Sequence, residues 1–190
     1  MKKNFLNVLI MVLAVFFISC EGKKTEDSKD LAEEQNDENL KDSDTKKDAE
    51  FAVDAADGGL YEVQVATLAL TKATSTRVKQ FAQMMVDDHG SANTELKALA
   101  AQKNIILPDV MSEKCQKKYY DLDQKKAGDF DKEYIDLMIK DHKDDIDKFE
   151  KEADKGEDGE VKSWAAGKLA TLRHHLEEAE RIKDDLKNKK

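Results

Sequence analysis

The sequence predicts an all-α fold, an up-down bundle of four long helices with an extra short helix between the second and the third. Three observations carry that reading. Proline occurs once, at Pro108, and only eight of the 190 residues are glycine, so little interrupts a helix. Apolar residues recur in alternating steps of three and four, the signature of one buried helix face. Breaks fall at few places, around Ala73–Ser75, Asn104–Ser112, Gly128 and Gly156–Gly159, and most of the connections are short enough to favour antiparallel neighbours.

The N-terminus precedes any such pattern. Lys2 and Lys3 lead into the mostly apolar run Phe5–Ile18, which ends at Ser19 and Cys20. This reads as a secretory signal over residues 1–20, too short for a comfortable membrane span and followed by a polar segment. A small residue before Cys20 makes its end resemble a bacterial lipoprotein signal, in which the cysteine takes the lipid. Phe17 stands where leucine is commonest, and an ordinary signal with an incidental cysteine is the competing reading. Residues 21–48 hold 11 acidic residues, 6 lysines and no aromatic. They are expected to form a disordered acidic tether, because so little apolar surface does not offset the entropy of ordering. As a flexible coil its ends would lie roughly 30 Å apart.

The remaining chain, residues 49–187, reads as one bundle domain. Its first helix is expected over about Ala49–Lys72 and its second from near Ser75 to Lys103. A short amphipathic piece with Cys115, Tyr119 and Leu122 on one face follows. The third helix covers about Asp129–Asp154 and the fourth about Asp158–Lys187. Each long helix carries a seam: Phe51, Ala55, Gly58, Glu62, Val65 and Ala69; Val78, Ala82, Met85, His89, Ala92 and Leu96; Tyr134, Met138, His142, Ile146 and Phe149; Leu172, His175, Ala179 and Ile182. Polar residues therefore interrupt all four apolar seams. His89 and His142 even share a frame, in which an aromatic residue, Met, an aliphatic residue, Asp and His recur 53 positions apart. His174 lies about 100° round the helix from His175 and is not the inward candidate.

At about 1.5 Å of rise per residue, Glu62, His89, His142 and His175 fall near one height, at mid-bundle. A buried polar layer must be satisfied internally, since an unpaired polar group costs about 1–3 kcal/mol. Two solutions are open. A divalent metal could take three imidazoles and a carboxylate, a set that suits zinc, iron or manganese better than copper. Alternatively, the histidines and Glu62 hydrogen-bond to one another and fix helix register without metal. Asp88 and Asp141 point away from the histidines they precede and read as solvated or supporting groups, whereas Asp145 could reach the layer. Met85, Met138, Trp164 and the phenylalanines read as core filling, with a soft copper(I) site as the sharper reading of the methionines. Lone Cys115 reads as a packing residue.

The charge balance, 32 basic to 41 acidic residues and −9 net, excludes nucleic acid as an electrostatic partner. There is no phosphate loop, Cys-x-x-Cys pair or serine-nucleophile constellation, which speaks against most enzyme classes.

The run FAVDAADGGLYEVQVATLALTKATSTRVKQFAQMMVDDHG, then GDFDKEYIDLMIKDHKDDIDKFE and LATLRHHLEEAERI, resembles the bacterial family known as domain of unknown function 4142, often labelled outer-membrane or envelope proteins. The resemblance covers most of residues 49–183 and implies a ferritin-like bundle. Its recurring Glu and three histidines fall on Glu62, His89, His142 and His175. Ala170 departs from a common family proline, which bears on helix geometry. The residues three before His89 and His142 are Val86 and Ile139, so the Glu-x-x-His pairs of di-iron bundles are missing.

Three readings follow in order: an envelope protein that binds a metal, a non-enzymatic interaction or stress-protection module, and a metalloenzyme. In each, a lipid on Cys20 holds the bundle to a bacterial membrane, the outer membrane foremost, with the domain in the periplasm or outside. A membrane is the one partner the sequence itself implies.

Overall fold

The computed structural model describes residues 27–41 and 43–188, all of it helix and short connections. Cys20, the signal over residues 1–20 and the first part of the expected tether lie outside the described residues. Among the described residues, six helices follow one another: α1 (Ser28–Asn39), α2 (Lys46–Lys72), α3 (Thr76–Lys103), α4 (Glu113–Asp123), α5 (Ala127–Lys155) and α6 (Gly159–Asn188). The four long ones begin and end within about three residues of the boundaries read from the sequence, and α4 contains the expected short amphipathic piece with Cys115, Tyr119 and Leu122.

The long helices close into a bundle in which α2 packs on α3, α5 on α6, α3 on α6 and α2 on α5. Two apolar half-cores fill it. One gathers Val65, Ala69, Val78, Phe81, Met85, Phe130, Tyr134, Met138 and Ile182. The other gathers Ala49, Phe51, Leu96, Ala100, Ile146, Phe149, Val161, Ala165 and Leu172, with Phe51, Phe149 and Trp164 meeting edge to face and tilted. Each long helix visits both half-cores, and the order in which it does so gives its direction. α2 and α6 run from the second half-core to the first; α3 and α5 run from the first to the second.

That corrects the expectation that every helix reverses the one before it. α3 and α5 are parallel, because residues 104–126, including α4, carry the chain back along the bundle. Asn104 starts this return in the left-handed region, at φ 56°, where asparagine is tolerated at a helix end. Asp57 of α2 anchors it by accepting hydrogen bonds from Ser112 N and Oγ, both at 2.7 Å.

A second correction concerns the acidic segment. Residues 28–39, expected to be disordered, form α1, and residues 46–48 belong to α2. The cause is polar and tertiary, which composition does not reveal. Asp27 caps α1 through Lys29 N at 2.9 Å and also accepts from Glu113 N at 2.6 Å. Asn36, buried, exchanges two hydrogen bonds of 2.7 Å with the backbone of Ile106, while Ala32 is buried beside it and Lys29 pairs with Asp54 of α2 at 2.6 Å.

Candidate metal centre

The gap between the two half-cores is where the four polar seam residues converge. Glu62 from α2, His89 from α3, His142 from α5 and His175 from α6 are all buried, His142 and His175 completely. His174 is exposed, on the face away from them. The three imidazole rings lie 5.2 to 5.5 Å apart, centre to centre, and offer one nitrogen each within 4.8 Å of one another. α3 and α5 are parallel, so the shared frame around His89 and His142 presents Met85 and Met138 to the same half-core.

Hydrogen bonding decides which nitrogens face the centre. Nδ1 of His142 lies 2.9 Å from the Met138 carbonyl oxygen, which can only accept, so this nitrogen carries the hydrogen. Nε2 of His175 lies 2.8 Å from Oδ2 of Asp88, again an acceptor, so it too is protonated. Burial pushes all three imidazoles down to about 4, so at neutral pH each carries one ring hydrogen. It follows that His142 Nε2 and His175 Nδ1 both present lone pairs to each other, at 3.2 Å.

His89 completes the set. Its Nδ1 lies 2.9 Å from Oε2 of Glu62, and its Nε2 is buried with no hydrogen-bond partner among the described residues. With Glu62 ionised, His89 donates from Nδ1 and adds a third bare lone pair. With Glu62 protonated, His89 can instead carry its hydrogen on Nε2 and donate into the gap. Either a metal ion or a hydrogen on His89 Nε2 would answer the lone pairs that face the centre. Tetrahedral zinc with bonds of about 2.05 Å sets its ligand nitrogens about 3.3 Å apart. The His142–His175 separation already matches, and the His89 nitrogen lies within 4.8 Å of both.

Glu62 stands beside the imidazoles rather than among them. Its Oε1 is 3.5 Å from His142 Nδ1, behind the nitrogens that face the centre, so in this arrangement it orients His89 and flanks His142. Burial pushes its carboxyl well above the usual carboxylate range. Asp145, one turn beyond His142, is raised for the same reason and by the nearby Glu62. Asp88 supports the site, but from α3 to His175 of α6 rather than on its own helix, a cross-helix pairing that no sequence signal gave. Asp141 pairs with Lys118 at 2.9 Å. Met85 and Met138 lie in the apolar half-core, and Cys115 is buried with its thiol pushed up to about 11 and within 3.3 Å of Asp57, a packing residue as expected.

A cavity of about 160 Å³ opens against His89, His175 and Glu62, walled by Phe149, Trp164 and Leu172 with Lys168 at its edge. A family described as "Domain of unknown function (DUF4142)" matches residues 31–182. No curated protein and no solved structure matches the chain.

Proposed function

The chain belongs to the DUF4142 family, and from that premise we propose that it is a lipid-anchored bundle of the bacterial cell envelope that binds one divalent metal through His89, His142 and His175. Glu62 serves as their orienting carboxylate or as a fourth ligand after a side-chain rotation. The observation that carries this reading is the meeting of three imidazole nitrogens in a buried layer, with the other nitrogen of His142 and of His175 held by an acceptor and that of His89 2.9 Å from Glu62. Nitrogen ligands with a carboxylate suit zinc, iron or manganese; copper fits less well, since both nearby methionines belong to the apolar core. The bundle is ferritin-like in connectivity, a reading supported by its single long crossover between α3 and α5. The anchor and its envelope location rest on residues 1–20 of the sequence.

Binding, as in a sensor or buffer of metal, is the primary role. The cavity against His89 and His175 favours a reactive centre as the second reading, since it could leave a coordination position open. The test is metal content, by mass spectrometry, of the untagged full chain in detergent, beside a His89→Ala, His142→Ala, His175→Ala variant shown to be helical. Near-stoichiometric metal lost in the variant supports the proposal. No metal in either, after incubation with zinc, iron, manganese and copper, would make the layer a structural one and turn attention to the protein's surface.

A further inference from the structure

On the other side of Glu62 lies a second cavity, of about 270 Å³, bounded by α1, α2, α4 and α5. Six waters occupy about 180 Å³ in the liquid, so a hydrated divalent ion fits within it. Among the described residues, eight carboxylates and four lysines line this space. Three of the lysines are spoken for: Lys29 by Asp54 at 2.6 Å, Lys118 by Asp141 at 2.9 Å and Lys148 by Asp145 at 3.5 Å. The remaining acids leave a negative field, which concentrates cations in a low-dielectric cleft.

Acidic lining alone would mean little. However, two of these carboxylates are buried and incompletely satisfied: Glu62 is 3% exposed and Asp141 7%, and Glu62 Oε1 and Asp141 Oδ2 have no hydrogen-bond partner among the described residues. Buried acceptors without donors are what a passing cation would use. The two cavities also share walls, since Gly58, Glu62 and Asp145 line both.

The paired glycines of α2 divide the work at this junction. A Cβ at Gly59 would collide with the Asn93 side chain of α3, so that glycine permits close helix approach. A Cβ at Gly58 would meet nothing within 4 Å. Packing therefore does not demand glycine there, and in a helix interior it is a costly choice. What it leaves is open space beside Glu62, where the cavities adjoin.

We infer that the acid-lined cavity is the route by which a hydrated divalent cation reaches the imidazoles, with Glu62 and Asp145 as the last oxygen contacts and Gly58 holding the passage open. This rests on the metal reading of the histidine site. Its mouth is formed partly by α1, through Asp30, which gives the unexpected helix a place in the mechanism.

The test is the rate of uptake, with Co²⁺ as probe, by the metal-free full chain in non-ionic detergent, followed by stopped-flow absorbance. Gly58→Leu is expected to slow loading at least tenfold at unchanged final stoichiometry. Asp30→Asn with Asp144→Asn, both exposed at the mouth, is expected to slow it several-fold at low salt and to lose that difference at high salt. If Gly58→Leu disturbs the fold or the stoichiometry, the double variant decides alone. Parental rates in the variants, with the parent loading normally, would overturn the route and leave the metal site standing. A parent that takes up no Co²⁺ would remove the metal reading and the route together.

Discussion

At the scale of single residues, the centre depends on groups that never touch its middle. Asp88, itself half exposed, fixes which nitrogen of His175 bears hydrogen, and such supporting acceptors commonly change metal affinity 10- to 100-fold. Asp88→Ala, which removes the acceptor, should weaken binding by about that factor with helicity intact, read by competition against a chelator; unchanged affinity would mean the tautomer is set elsewhere. Away from the centre, Glu152 is buried against Asp48, which accepts from Glu157 N and Asp158 N ahead of α6. Burial, then Asp48, pushes the Glu152 carboxyl up to about 7. The sign follows from the neutral form being favoured in the fold. Stability is unaffected below the unfolded value near 4.5 and is lost as pH rises from there through about 7. Glu152→Gln, which keeps a donor toward Asp48, should therefore match the parent at pH 4.5 and exceed it at pH 8 by about 1–2 kcal/mol, a few degrees in Tm. Equal melting curves at both pH values would show that Glu152 is solvated.

At the scale of elements, caps are supplied across the fold as much as along the chain. Asp131, on the first turns of α5, accepts from Thr74 N at 2.9 Å, Thr74 Oγ1 at 2.7 Å and Ser75 N at 2.8 Å, and so closes the α2–α3 connection. Asp131→Ala should cost about 2 kcal/mol, and it should speed amide exchange at the start of α3 more than elsewhere; uniform loosening would argue against a local cap. Such contacts mark where reading the sequence ran out. Helix boundaries were legible because apolar period and breaks are local signals, and the inward His175 was separable from exposed His174 by the same period. Glu62, His89, His142 and His175 could be assigned to one layer from helix heights. The role of Asp88, the parallel run of α3 and α5, and α1 could not be read, because each is fixed by a partner distant in sequence. α1 shows this most clearly, since Asn36 and Ile106 are 70 residues apart, and nothing in an acidic segment announces that pairing.

At the scale of the whole molecule, the bundle is two apolar half-cores joined through a polar layer. Without metal the layer keeps only the hydrogen bonds of His142 and His175 to their outer acceptors and the Glu62–His89 contact, and replacing buried polar groups by apolar ones of similar size is often neutral or stabilising. With metal, stability gains RT ln(1 + [M]/Kd), about 2.7 kcal/mol at a hundredfold excess over Kd. A layer kept for binding should thus be a liability in the metal-free protein, whereas a layer kept for register should be an asset. Glu62→Met with His89→Leu, His142→Leu and His175→Leu separates the two. If metal is the reason for the layer, this variant should melt a few degrees above the metal-free parent, ignore added metal, and fall below the loaded parent at high occupancy. A variant that melts lower than the metal-free parent, or loses its cooperative transition, would instead mean that the imidazole and carboxylate hydrogen bonds hold the four helices in register. The centre would then be part of the fold's specification, with no metal required to explain it.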